Sequence, residues 1–277
     1  MRFEDFARSH GLIIRNLIPD RWVATPTEDH PRSSNGRYKY LGDVGWVQNW
    51  ATMEKPSMWR AEGTNSLQPR TRMILDKSFD ERDRLAESAA KKAQGMVASA
   101  EYGIHPYLAS KGFANEKMPL WIDENWETKL LIPMYSNRQI VGCQIINEQG
   151  EKKFIYGQRS KGATFCLDAK GVPIFCEGFA TALSIQSAMR ANKLPYSIYV
   201  CFSASNMKDV AKRFRSGFVI ADNDPNNTGE RSAIETGKPY WMSDTVGEDF
   251  NDYHLRVGLF KASQALMNLL RKKDSSS

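Results

Sequence analysis

Cysteine is scarce in this chain, with four residues in 277, at Cys143, Cys166, Cys176 and Cys201. None forms a C-x-x-C pair, and the four histidines, His10, His30, His105 and His254, are equally scattered. A zinc ribbon needs clustered ligands, so no zinc is expected, and the thiols read as buried and free in a reducing, cytoplasmic setting. No apolar stretch approaches the roughly 18 residues of a membrane span, and Met1-Arg2-Phe3-Glu4-Asp5 is too acidic for a secretory signal. A G-x-x-x-x-G-K-[ST] phosphate loop is also missing. Gly157 to Gly162 has the glycine spacing, but Ala163 stands where lysine is required, which excludes a fused ATP-driven helicase motor.

What is present is ordinary in bulk and uneven in distribution. Hydrophobic residues make up 41% and charged residues 25%, enough to bury a core. The net charge of +6 suits an anionic partner such as nucleic acid. Residues 1–75 carry short β-like runs, Arg37-Tyr38-Lys39-Tyr40-Leu41 and Gly45-Trp46-Val47, broken by Asn35-Gly36 and Gly42-Asp43, and predict a small β-rich module. Trp22, Trp46, Trp50 and Trp59 lie here beside Arg21, Arg37, Lys39 and Arg60. Aromatics interleaved with cations suit base stacking along a single strand, but a small β module first needs such aromatics as its core.

A helical segment over 76–104, starting at a Ser78 cap with Glu81 three residues on, predicts a linker. Residues 105–170 then show antiparallel strand patterns, Leu130 to Met134, Ile140 to Ile146 and Lys153 to Tyr156. From 171 to 256 strands and helices alternate: Val172 to Cys176, helix Ala180 to Ala191, Ser197 to Phe202, helix Met207 to Phe214, Gly217 to Ala221, helix Glu230 to Thr236, Pro239 to Met242. That rhythm predicts an α/β fold with a parallel sheet and crossover helices. An amphipathic helix from Leu255 to Leu270 and a frayed tail close the chain over 257–277.

The chemistry concentrates where the parallel strands end. One apolar run ends in Glu177-Gly178, a second in Asp222-Asn223-Asp224, and Gly247-Glu248-Asp249-Phe250-Asn251-Asp252 follows the last strand. Side chains two apart share a face, so Asp222 and Asp224 turn one way and Asn223 aside. Carboxylates gathered at one sheet edge repel unless a cation sits among them, and oxygen ligands favour Mg²⁺ or Mn²⁺. One or two such ions would serve a phosphoryl transfer without a protein nucleophile. Each motif alone is weak, and only their order across successive βα units gives them weight.

These residues resemble the Toprim domain of primases, topoisomerases and some nucleases, most closely in primases of phage and plasmid type. Glu177-Gly178-Phe179-Ala180-Thr181-Ala182-Leu183-Ser184 is similar to the first motif, Ile220 to Asp224 to the second, Asn227-Thr228-Gly229 to the loop after it, and Gly247 to Asp252 to the third. Ser203 to Met207 resembles the loop between the first two. Upstream, His105 to Gly112 and Leu131 to Phe165 resemble the other half of a DnaG-type catalytic core, and residues 1–75, through Asn35 to Tyr38 and Gln48-Asn49-Trp50, faintly resemble N-terminal modules of phage primase-like proteins.

The resemblance implies a Rossmann-like Toprim sheet preceded by a mixed α+β subdomain. It implies catalytic Glu177, Asp222 and Asp224, a metal site of Glu177, Asp222, Asp224, Asp249 and Asp252, and phosphate contacts from Lys153 and Lys161, with Lys152 and Arg159 next. Arg37, Lys39, Trp46 and Trp50 are candidates for nucleic-acid contact. Expected partners are single-stranded DNA and nucleoside triphosphates, with a replicative helicase as a further candidate and no membrane. Two positions depart from the pattern. Thr181 stands where bacterial primases carry an acidic residue, and Asn251 where a second aspartate is frequent, so one ion is held more loosely or by Asp252. The zinc finger that selects start sites in such primases is missing. The leading expectation is a phage- or plasmid-encoded DNA primase making short RNA primers; the alternatives are a non-catalytic binder of single-stranded DNA or a helicase, and a Toprim nuclease.

Overall fold

The computed structural model describes residues 1–53, 55–63, 66–167 and 170–271. Helix α1 (Phe3–Ser9) leads into an antiparallel meander, β1 (Trp22–Thr25), β2 (Gly36–Tyr40), β3 (Val44–Asn49) and β4 (Ser57–Arg60), paired in sequence order. Alternation along the strands sends Val23, Tyr38, Val47 and Trp59 to one face, where they enclose Phe3, Ala7 and Leu12. Gly45 is dictated by this packing, since a Cβ there would stand 2.4 Å from the Phe3 ring.

Helix α2 (Pro69–Ala98) starts well before Ser78, the expected cap. Pro69 suits a first helical position, and the cap comes from a distant loop: Asp43 accepts from the Gln68 amide at 2.7 Å and from the Thr71 hydroxyl. The chain divides within this helix into two compact units, Met1–Asp83 and Arg84–Ser277.

The second unit contains two sheets. β5 (Glu101–Gly103), α3 (Pro106–Ser110), β6 (Met118–Ile122), β7 (Thr128–Ser136), β8 (Gln139–Ile146) and β9 (Lys152–Phe154) give five antiparallel strands in chain order. Leu131, Cys143 and Ile155 pack against Ala89, Ala93 and Met96 of α2, while Leu130, Ile132 and Ile146 join the main core.

The remaining elements are β10 (Phe165–Leu167), β11 (Val172–Cys176), α4 (Phe179–Ala191), β12 (Tyr196–Val200), α5 (Ala204–Ala211), β13 (Phe218–Ile220), α6 (Thr228–Ile234), β14 (Tyr240–Trp241) and α7 (Phe250–Arg271). Their sheet has the order β10-β12-β11-β13-β14. It is parallel as expected except at one edge, where β10 runs antiparallel to β12. Phe179, Leu183 and Leu266 cover one face, and Met207, Val210 and Ala233 the other, which is why these strands read as unbroken apolar runs.

Helix α7 begins at Phe250 rather than Leu255 and is interrupted at Gly258, whose φ of 82° is non-helical. The break splits the expected apolar stripe: Leu266 and Leu269 are buried, whereas Leu255 and Leu259 are exposed. The tail expected to fray lies outside the described residues over 272–277. Among the described residues no helix is long and apolar enough to cross a membrane.

Candidate active site

Glu177 follows β11 directly. The parallel ladder runs past the strand ends, with Cys201 donating to Cys176 O at 2.8 Å and Phe202 to Glu177 O at 2.9 Å, so the backbone of Glu177 is fixed. Phe202 adopts a left-handed φ of 67° at this junction. Asp222 and Asp224 follow β13, and between them buried Asn223 turns the other way, its side-chain nitrogen donating to Ser243 O at 2.8 Å. The Asn223 backbone also pairs with Gly247 and Glu248, which ties the loop after β14 to the second motif. That tie delivers Asp249 to the start of α7, where its Oδ1 accepts from the Asp252 amide at 2.8 Å as a helix cap.

The electrostatics show that these groups share one edge. Burial, then the charges of Glu177, Asp249 and Asp224, push the Asp222 carboxyl up to about 8. Burial and then Asp224 push Glu177 up to about 7, against the Ala204 amide and Lys152. Glu177 Oε1 and Asp222 Oδ1 are buried with no hydrogen-bond partner in the protein. Unpaired oxygens of this kind are costly to bury and suit a hard cation. Among the described residues no three His, Cys, Asp or Glu side chains are already gathered into a metal cage.

Two other acidic side chains of the third motif are committed elsewhere. Glu248 forms a two-pronged pair with Arg256, at 2.6 and 2.8 Å, and accepts from Ser243. Asp252, an expected metal ligand, is paired with Lys111 at 3.3 Å.

Asn251 has a structural role through its Nδ2, while its Oδ1 and the Thr181 Oγ1 are buried without a hydrogen-bond partner, as are the Glu177 and Asp222 oxygens. Asn251 is fully buried, and its Nδ2 donates at 3.0 Å both to Lys111 O and to Ser184 Oγ, pinning α7 to α4 and to the end of α3. A carboxylate there would face a carbonyl oxygen with nothing to donate. Thr181 is likewise fully buried in the first turns of α4.

The basic residues are sorted by strand geometry. The Phe154 ring of β9 meets Phe202 edge to face at 6.4 Å, and Lys152 on the same strand lowers the carboxyls of both Glu177 and Asp222. Lys153 turns to the opposite face, as successive strand residues do, and lines a cleft with Trp121, Asp123 and Glu127. Lys152, and not Lys153, therefore acts on the carboxylates. Lys161 is exposed and lies 3.6 Å from Asp209, and Arg159 is exposed on the same loop.

Two residues that hold this loop escaped the sequence reading. Buried Asn206 accepts from the Gly162 amide at 2.6 Å and donates to Ala163 O at 2.9 Å and Cys201 O at 2.8 Å. The Arg213 guanidinium packs on Gly162, where a Cβ would come within 2.4 Å of it. Asn206 lies in a stretch the sequence did flag, but its contact is tertiary and leaves no local signal.

In the first unit the four candidates differ in exposure. Lys39 is 9% exposed and Trp46 is half-buried, while the Arg37 guanidinium lies 4.5 Å from the Trp22 ring and 5.7 Å from that of Trp50. Only Trp59 of the four tryptophans belongs to the core cluster, so the core reading holds for that one alone.

A strand-turn-helix carrying Glu177, a following strand ending in Asp222 and Asp224, and Asp249 brought to the same edge together define a Toprim site. The family model of the Toprim domain matches residues 173–259, and this part of the chain is a Toprim domain. No curated protein matches the chain. Among solved structures, similarity is found to the primase fragment of the bacteriophage T7 primase-helicase protein, at 13% identity over 63% of this chain and 77% of that one, with a TM-score of 0.43. A chain from the bacteriophage T7 lagging-strand DNA polymerase interacting with primase domains bound to an RNA/DNA hybrid and dTTP is similar at 14% identity over 61% of this chain and 91% of that one, again with a TM-score of 0.43.

Proposed function

We propose that this chain is a primase that joins ribonucleotides on single-stranded DNA by metal-dependent nucleotidyl transfer. One observation carries the reading: Glu177 and Asp222 hold buried, unbonded oxygens at the edge of a Toprim sheet, in a field of further carboxylates that raises both of them. The residues that would hold Mg²⁺ or Mn²⁺ are Glu177, Asp222, Asp224 and Asp249, an all-oxygen donor set. When bound, such ions neutralise a triphosphate and acidify an attacking hydroxyl.

The chain's own groups supply the rest. Glu177 ligates the ion or, where the other carboxylates hold it, assists proton transfer from the 3′-hydroxyl. Lys152 orients the triphosphate, and the loop of Gly157 to Gly162, braced by Asn206 and carrying Arg159 and Lys161 beside Arg213, holds phosphates of the nucleotide or template. The test is incorporation of labelled ribonucleotides on single-stranded templates with Mg²⁺ or Mn²⁺. The reading expects products from the native chain and none from Asp222→Asn; equal products from both would sink it.

A binding-only role is favoured by one observation, that the Asn251 amide is spent on Lys111 O and Ser184 Oγ where an acidic ligand set would be richer. Its signature is absent synthesis together with salt-sensitive DNA binding that EDTA leaves unchanged.

A further inference from the structure

We propose that the outward face of the sheet in residues 1–83 binds a single strand of nucleic acid, stacking unpaired bases on Trp22 and Trp50. The register carries the argument. Trp22 pairs with Lys39, Lys39 with Trp46, and Trp46 with Met58, so one row of side chains crosses all four strands on the face opposite the core. The next row places Ala24, Arg37 and Gln48 side by side. Gln48 Oε1 accepts from Arg37 Nε at 3.1 Å and Nη2 at 2.9 Å, and so holds the guanidinium between Trp22 and Trp50.

Large side chains are left uncovered on this face. Trp22 is 41%, Trp50 49% and Met58 53% exposed. Apolar area of this kind calls for an occupant, and the charge says which. The four strands carry Arg37, Lys39 and Arg60 and no Asp or Glu. A partner must then be anionic and present flat apolar faces, a combination that unpaired bases on a phosphodiester strand provide and a duplex, with its bases already stacked, does not. An apolar peptide would gain nothing from Arg37 and Arg60, to which Lys39, 9% exposed, adds its charge from within the row. The Arg37 guanidinium already contacts both rings, at 4.5 and 5.7 Å from their centroids, which lowers the ordering cost of binding. Local sequence could not separate this face from the core face, since both alternate aromatic with polar residues.

The inference stands apart from the Toprim site, and its test is built to keep the two separate. Binding of a fluorescein-labelled 16-residue oligo(dT) to the full chain is followed by anisotropy, in EDTA and in an Asp222→Asn background. The expected result is roughly 10-fold weaker binding for Trp22→Ala and for Trp50→Ala, and roughly 100-fold for the double variant, in keeping with the usual worth of a stacked base. Arg37→Met should weaken binding and lower the salt slope by about 1. The double Trp→Phe variant should stay within about 3-fold of the parent, which guards against loss through misfolding. Parent-like binding by the double alanine variant, better competition by duplex than by single strand, or no binding by the parent would overturn the proposal, the last pointing to a protein partner.

Discussion

A Cβ on Gly229 would lie 2.2 Å from the carbonyl oxygen of Asp222. The start of α6 therefore rests directly on the backbone that carries the second motif, and only glycine permits that approach. Gly229→Ala should push Asp222 out of place and lower nucleotidyl transfer about 100-fold, since displacements near 1 Å have effects of that size. Steady-state rates, with circular dichroism confirming a folded chain, check this.

Asn251→Asp looks like a restoration of a richer acidic motif, yet the structure predicts harm. The substitution removes two donated hydrogen bonds in a fully buried position and sets a carboxylate against Lys111 O. A loss of about 2–4 kcal/mol in urea unfolding is expected, with no gain in Mn²⁺ affinity. Tighter metal binding at unchanged stability would show that Asn251 faces the ion site.

Stability of the metal-free protein should fall as pH rises. Glu177 and Asp222 stay protonated in the folded chain up to about 7 and about 8, whereas the unfolded chain ionises them near their ordinary values of 4.5 and 3.8. Between those limits the folded state binds more protons than the unfolded one, so unfolding becomes easier from about pH 4 to about pH 8 and then levels off. Thermal melts across that range should show the decline, Asp222→Asn should flatten it, and Mg²⁺ should raise Tm more at pH 8 than at pH 5.

Lys152 and Lys153 should separate cleanly. Lys152→Ala removes a charge that lowers both Glu177 and Asp222, so the acidic limb of the rate profile should move to higher pH and the KM for nucleoside triphosphate should rise. Lys153→Ala, on the other face of β9, should leave both within about 2-fold. Equal effects from the two would mean that strand β9 does not present Lys152 to the carboxylates.

The contrast between these lysines shows what the sequence could and could not disclose. Strand β11 ending before Glu177 and strand β13 ending before Asp222 were readable, because buried parallel strands are short apolar runs closed by a glycine or acidic turn. Which of two adjacent lysines faces the site depends on how β9 meets Phe202, a contact between distant segments. The start of α2 was hidden for a similar reason, since its cap is Asp43 in another loop. Asn206, Gly229 and Asn251 act through tertiary contacts that no local pattern encodes. Antiparallel β10 was too short to show a period.

The most direct test of the central claim is an anomalous diffraction map from crystals grown with Mn²⁺ and a non-hydrolysable nucleoside triphosphate. A Mn²⁺ peak about 2.2 Å from oxygens of Glu177, Asp222 and Asp224 or Asp249, with the triphosphate reaching toward Lys152, is the predicted result. A triphosphate bound elsewhere, with no manganese peak among these carboxylates, would contradict it.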